Sequence, residues 1–310
     1  MNNINDKNIK FKSGFIGLIG RTNVGKSTLI NKILEKNVVI TSDKAQTTRS
    51  RINCIYNTKN AQAIFVDCPG FFKPRNLLGK KLNDIIYNVL SDIDIITVIV
   101  DIADGIGKGD YFVFEQVRNK NQYKILILNK IDLLNKIRLR ELPQNIEDLK
   151  NNFIFFNEII PVSAKKGTNI SIYLDSIIKN LPEGPKYYPE DMITDMPLKQ
   201  IITEVIREKL LNFLYEELPH SINVELENLI KTQTSDGFPL TKIECSIYVE
   251  KKSQKAIIIG QSGSMLKKVG ELARIELERI LETKVYLQLW VKVAENWTKN
   301  EQFISRLGYS

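Results

Sequence analysis

The stretch GLIGRTNVGKSTLINKI, which begins at Gly17, constrains this chain more than any other. An apolar run ends at Gly20, and a short loop follows that closes on Gly25, Lys26 and Ser27. Leu29, Ile30, Ile33 and Leu34 then recur at helical spacing. Strand, loop and helix is the setting in which G-x-x-x-x-G-K-[ST] wraps phosphates. Its glycines let backbone N–H groups turn inward, and the helix N-terminus adds positive potential. The pattern points to a nucleotide site built by Gly20, Arg21, Thr22, Asn23, Val24, Gly25, Lys26, Ser27 and Thr28. Lys26 is expected at the β- and γ-phosphates and the Ser27 hydroxyl at Mg²⁺. The alternative, a chance glycine loop, arises in roughly one chain in a hundred of this length.

The 310 residues are enough for two domains. The N-terminal MNNINDKNIKFKSG is polar and lacks a signal-peptide core, and the apolar IITVIV after Asp94 is far too short to span a bilayer. Cys54, Cys68 and Cys245 show no metal-ligand spacing, which suits a reducing cytosol. His220 is the only histidine, which excludes zinc triads and Ser/His/Asp chemistry; it reads as structural. A monomeric, cytoplasmic protein is expected. The formal net charge is +8, but from residue 198 onward 16 basic side chains face 15 acidic ones, so the excess lies in the first 180 residues. A nucleic-acid partner suits the total, while the C-terminal part would need a local patch. The same basic balance leaves open a peripheral contact with the cytoplasmic face of the inner membrane.

In residues 1–180 the strand candidates RINCIYNT, AIFVDC, IITVIVDI, KILILNK and EIIPVSA alternate with helical patterns such as 79–91, 110–120 and 169–181. Near-continuous apolar strands between helices imply an α/β domain, a mostly parallel sheet with helices on both faces. Ligands then bind outside the carboxyl ends of the strands. LPEGPKYYPEDMITDMP, residues 181–197, is rich in proline and acids and reads as a linker. In 198–310 the order changes to a helix at about 198–217, the strands SINVELENLI and LTKIECSIYVE, a glycine turn between helical segments, and the strand KVYLQLWVKVA. That is an α+β domain.

LILNKIDLL places Asn129, Lys130 and Asp132 at a strand end. A carboxylate there can accept from both guanine N1–H and the exocyclic N2 amine. Adenine offers neither donor, and sites that hydrogen-bond a substrate group reject analogues lacking it. In PVSAKKG, the backbone N–H groups of Ser163, Ala164 and Lys165 are candidates for guanine O6. FVDCPGF supplies Asp67, expected to hold Mg²⁺ through water, and Gly70, whose N–H is expected at the γ-phosphate.

With GRTNVGKST, AQTTR, DCPGF, NKID and SAK in this order, the chain resembles a translation-factor-class GTPase and, more narrowly, the Era family. YYPEDMITD, ELPHSINVE and LWVKV extend the resemblance over nearly the whole chain. It implies a P-loop GTPase domain followed by a type II K-homology RNA-binding domain, with GTP, GDP and Mg²⁺ as cofactors. It further implies a role in maturation of the small (30S) ribosomal subunit, with the 3′ end of its 16S rRNA as partner. By the same resemblance AQTTR is switch I, and Thr47 or Thr48, with Thr48 favoured, completes the Mg²⁺ shell.

In Ras-like enzymes a glutamine after D-x-x-G orients the attacking water; here Phe71 stands in that place. Slow turnover assisted by a partner or a cation is one reading, and a GTP-binding switch or RNA-binding scaffold with a non-catalytic site is another. A P-loop metabolic kinase is a third, disfavoured by Asp132. The resemblance implies that Asn23 coordinates K⁺ where an arginine finger would lie. The family has proline where this chain has Thr22, so the loop is less constrained. Lys26, Thr48, Gly70 and Asn23 form the expected catalytic set.

Gly260-Gln261-Ser262-Gly263 is a GXXG turn of the kind with which K-homology domains clamp about four nucleotides. The turn carries no charge of its own. Lys251, Lys252, Lys255, Lys267 and Lys268 are expected to supply it.

Overall fold

The computed structural model describes residues 10–40, 48–72, 74, 76–214 and 221–307. Thr47 and His220 lie outside the described residues. The chain divides into two units: the described residues up to Asp195 form the first, except Ile40 and those of 74–81, which group with the residues from Met196 onward in the second.

The first unit is built on a six-stranded sheet. Its strands are β1 (Lys12–Gly20), β2 (Ile52–Asn57), β3 (Ala61–Asp67), β4 (Ile95–Asp101), β5 (Tyr123–Asn129) and β6 (Glu158–Pro161), in the order β2-β3-β1-β4-β5-β6. All neighbours are parallel except β2, which runs antiparallel to β3. Every residue of β3 and β4 is buried, as strands covered on both faces require. The connecting helices are α1 (Lys26–Leu34), α2 (Leu77–Asp92), α3 (Lys108–Arg118), α4 (Lys136–Asn152) and α5 (Ile170–Asn180).

Residues 181–195 are not free linker. The antiparallel hairpin leaves β2 at the sheet edge, where its outward backbone groups need partners. Ile55 N donates to Ile193 O (3.0 Å), Asp195 N to Asn53 O (3.3 Å), and Asn53 N to the Asp195 carboxylate (3.2 Å). Gln62 is fully buried, and its Oε1 accepts from both Tyr187 N (2.8 Å) and Tyr188 N (3.0 Å). The proline-rich, acidic segment is thus an edge cover, and the change of unit falls at its last two residues.

The second unit runs α6 (Leu198–Phe213), β7 (Asn223–Gln233), β8 (Pro239–Val249), α7 (Lys252–Ile259), α8 (Ser264–Leu281), β9 (Lys284–Val293) and a short α9 (Glu301–Arg306). Its sheet has the order β7-β8-β9, with β8 antiparallel to β7 and parallel to β9. Ile202, Ile206 and Leu210 of α6 pack with Ile243, Cys245 and Ile247 of β8 and Val269, Ala273 and Leu277 of α8 to form its core.

Candidate functional site

The motif residues of the first unit all reach the carboxyl edge of its sheet. Register makes them level: Leu18 pairs with Asp67, and Asp101 pairs with Asn129. α1 springs directly from the loop. Gly25 takes φ 99°, no side chain caps the helix, and no acid occupies its first turn. The N–H groups of Lys26, Ser27 and Thr28 therefore lack intrahelical acceptors and suit an anion. Lys26 is buried, and its Nζ donates to the carbonyls of Arg21 (2.9 Å) and Gly20 (3.4 Å). Burial lowers the pKa of its ammonium.

Asp67 is completely buried at the end of β3. Ser27 Oγ and Thr48 Oγ1 each donate to its Oδ2 at 3.1 Å, and the two hydroxyl oxygens stand 3.4 Å apart. Its other oxygen, Oδ1, is buried without a hydrogen-bond partner. Burial raises the carboxyl pKa, with Lys26 acting the other way. Two hydroxyls and a carboxylate whose second oxygen is orphaned form a hard oxygen donor set of the kind Mg²⁺ takes with retained waters. Among the described residues no cluster of three His, Cys, Asp or Glu could hold a metal instead.

Several expected residues meet the site by backbone alone. The Arg21 side chain turns away onto α3, its Nε 2.8 Å from the buried Asp110, so only its main chain can face a phosphate. Val24 is buried and offers its carbonyl to Asn129 Nδ2 (2.7 Å). Asn23 is exposed at φ 65°. Gly70 rests on the loop: a Cβ there would lie 2.7 Å from Thr22 N. Phe71 N donates to Gly20 O (3.0 Å), while its ring is buried edge-on against Tyr87 (5.6 Å) and Phe112 (5.8 Å). It is held in the core and cannot orient a water.

At the end of β5, Asn129 ties two loops together. Its Nδ2 holds Val24 O, and its Oδ1 accepts the N–H of Ala164 (3.0 Å). That N–H, expected at guanine O6, is thus engaged, and Ser163 N donates to Thr168 O (3.2 Å). Of the three expected donors, this leaves Lys165 N–H. Ser163 Oγ donates to Asp132 Oδ1 at 2.6 Å, fixing the carboxylate. Lys130, at φ 66°, places its Nζ 2.5 Å from Asp101 Oδ2.

In the second unit the GXXG turn is a real break between helices. Gly260 (φ 73°), Ser262 (φ 52°) and Gly263 (φ 79°) all take left-handed φ. A Cβ at Gly260 would lie 2.9 Å from Met265 N. α8 starts at Gly263 without a side-chain cap or an acid in its first turn. A groove of about 450 Å³ opens beside it, lined by Gly263, Lys267, Gly270, Arg274 and the β9 side chains Leu287 and Leu289 among others. The five expected lysines do not gather there. Lys251 and Lys252 sit at the far end of α7, about 12 Å along its axis from Gly260, and Lys255 lies between. Lys268 lies 4.7 Å over the Phe213 ring. Only Lys267 lines the groove. Arg274, which sequence reasoning missed, lines it too and pairs with Glu278 at 2.9 Å. Its only signal is its place two helical turns after Lys267.

Fold and site define a class: a P-loop GTPase joined to a K-homology domain. A model of the 50S ribosome-binding GTPase family matches residues 15–130, and a KH domain model matches 217–298. GTPase Era of Alkaliphilus oremlandii is 44% identical over 299 residues, 96% of this chain and 99% of that one. GTPase Era of Staphylococcus haemolyticus is 43% identical over 298 residues, covering 96% and 97%. A crystal structure of Era in complex with MgGDPNP and nucleotides 1506–1542 of 16S ribosomal RNA superposes with TM-score 0.90 at 37% identity, over 97% of this chain and 99% of that one. An Aquifex aeolicus Era variant bound to GDP and AlF4⁻ gives 0.89 at 36%, over 97% and 100%. The chain belongs to the Era family of GTPases.

Proposed function

We propose that this chain binds GTP and GDP with Mg²⁺ at the carboxyl edge of its parallel sheet and hydrolyses GTP there. In the same reading its second unit binds the 3′ end of small-subunit ribosomal RNA, and the protein acts in assembly of the 30S subunit. The observation that carries the nucleotide half is Asp67, buried with Ser27 and Thr48 converging on one oxygen and the other oxygen unsatisfied. Thr48, within hydrogen-bond reach of that set, is the switch I ligand. Bound Mg²⁺ would neutralise charge on the phosphoryl oxygens as transfer proceeds. Lys26 and the N–H groups opening α1 hold the phosphates, and the Gly70 N–H senses the γ-phosphate. Asp132 accepts from guanine N1–H and N2, and Lys165 N–H serves O6. The RNA half rests on the Gly260–Gly263 turn, the open start of α8 and the adjoining groove. The Era relative solved with a 16S fragment supports the same ligand class for this chain.

With Phe71 withdrawn into the core, no side chain at that position orients the water, and hydrolysis would lean more heavily on charge that stabilises the transition state. We read Asn23 as a K⁺ ligand supplying it. Losing one such electrostatic partner typically costs on the order of 10²-fold in rate. Turnover in matched KCl and NaCl checks this: a large K⁺ advantage is expected, and equal rates remove the cation from the mechanism. We read the protein as a cytoplasmic monomer, with any contact at the inner membrane peripheral. No helix among the described residues is long and apolar enough to cross a membrane.

The buried Phe71 also favours a second reading, an RNA-binding scaffold whose nucleotide site is structural. Single-turnover GTP hydrolysis with and without an RNA of the 16S 3′ end decides between them. Turnover that RNA accelerates is expected. Bound GTP that stays intact in both arms would establish the scaffold.

A further inference from the structure

We propose that Asp101 is a positioning residue for nucleotide-base binding, acting through Lys130. Asp101 ends β4 and is directly paired with Asn129, the last residue of β5. Its side chain is buried, and each oxygen has its own task. Oδ1 accepts the N–H groups of Ala103 (3.0 Å) and Asp104 (3.4 Å), closing the turn that follows β4. Oδ2 faces the Lys130 ammonium at 2.5 Å. The turn is itself pinned: Arg138 of α4 donates to Ile102 O (2.8 Å) and Ala103 O (2.7 Å), and Ile102 N donates to Asn129 O (3.0 Å). The carboxylate is therefore preset, and the flexible partner is the lysine.

Lys130 needs such a hold. It sits between Asn129 and Asp132 at φ 66°, a conformation that costs energy for a residue with a Cβ. Its side chain is one-third exposed, with four methylenes free to sample rotamers. Anchored by its ammonium, the stem becomes a fixed apolar wall beside the Asp132 carboxylate, the surface a purine ring requires. Without the anchor, nucleotide binding must order that stem itself. The effect falls on base affinity and not on base choice, because the purine edge is read by Asp132 and the Lys165 N–H and not by the Lys130 stem.

The inference rests on the nucleotide reading of the site. A double-mutant cycle on the full chain tests it, using GDP and XDP affinities for wild type, Asp101→Asn, Lys130→Met and the double variant. Asn preserves the acceptor toward the turn and removes the charge facing Lys130. Asp101→Asn is expected to weaken GDP binding about tenfold, in the range for residues in direct contact, with the preference for GDP over XDP unchanged. In the Lys130→Met background the same substitution should cost nothing further. Losses that multiply in the double variant overturn the inference, as does a changed base preference in Asp101→Asn. Should Lys130→Met not fold, the double variant is compared with Asp101→Asn: equal affinities support the inference and a further loss overturns it. Failure of the wild type to bind GDP would defeat the nucleotide reading instead.

Discussion

As the proposed Mg²⁺ ligand, Asp67 would serve two ends that conflict. Its burial favours the neutral acid, yet Mg²⁺ would need the carboxylate. Its folded-state pKa is raised, so the stability it contributes is present at pH values below the ordinary carboxylate range near 4. That stability is lost as pH rises through the raised folded value. At neutral pH without metal, the buried carboxyl therefore costs stability. Asp67→Asn, which can still accept from Ser27 and Thr48, should raise the thermal midpoint of the Mg²⁺-free protein. A gain of about 0.5–2 kcal/mol is typical when a destabilising functional group is relieved. The same substitution should abolish Mg²⁺-dependent turnover; thermal melts with and without Mg²⁺, beside a hydrolysis assay, measure both. Asp132 yields a different test. Its Oδ1 is held by Ser163 at 2.6 Å, so the carboxylate is oriented before any base arrives. Asp132→Asn should weaken GTP binding by roughly 2–4 kcal/mol and shift preference toward xanthine nucleotides, whose C2 carbonyl suits an amide donor. Competition among GDP, XDP and ADP checks it, and an unchanged preference would remove Asp132 from the base site.

Elements decide what the glycines mean. The two glycines of GXXG look equivalent in sequence and are not. Gly260 has a left-handed φ and a crowded Cβ direction against the α8 backbone, whereas Gly263 has the left-handed φ with open space around it. Gly263→Ala should therefore cost about 1 kcal/mol of stability, the strain of the conformation alone. Gly260→Ala should cost more, because Met265 N must shift, and α8 with Lys267 and Arg274 shifts with it. Denaturant melts of both variants, read beside affinity for a 16S 3′-end RNA at one fixed salt, should rank Gly260→Ala as worse on both scales. Equal losses would mean that the turn tolerates a side chain at either end.

Across the whole molecule, the chain links the two activities in a specific way. The segment 181–195 is bonded to β2, the strand that follows Thr48, and continues within three residues into α6. A switch held by γ-phosphate and Mg²⁺ orders on binding and is released on hydrolysis. RNA affinity should accordingly differ between the GTP-analogue and GDP states by about 1–3 kcal/mol, and by linkage RNA must change relative affinity for the two nucleotides by the same factor. Asn53→Ala, which removes the side-chain bonds to Asp195 and Tyr188, should reduce that factor while leaving GDP affinity intact. Identical RNA affinity in both nucleotide states would mean two independent modules on one chain.

The amino-acid sequence alone determined the strands of the first sheet, the strand, loop and helix from Gly17 into α1, and the glycine turn between α7 and α8. Each is a local signal, in which residue type and spacing along a few positions carry the chemistry. α4 is faint for the same reason: only Leu142 of it is buried, and Pro143, a residue that ordinarily ends helices, stands inside it. Tertiary structure decided whatever depends on residues distant in the chain. It turned Arg21 toward Asp110, committed the Ala164 N–H to Asn129, and made a proline-rich linker the cover of an exposed strand edge. It also scattered five lysines that look close in sequence, since a helix carries residues 252 and 260 about 12 Å apart. Sequence spacing reports what a side chain is able to do, whereas its partner is set by which elements pack together and which buried polar groups must then be satisfied.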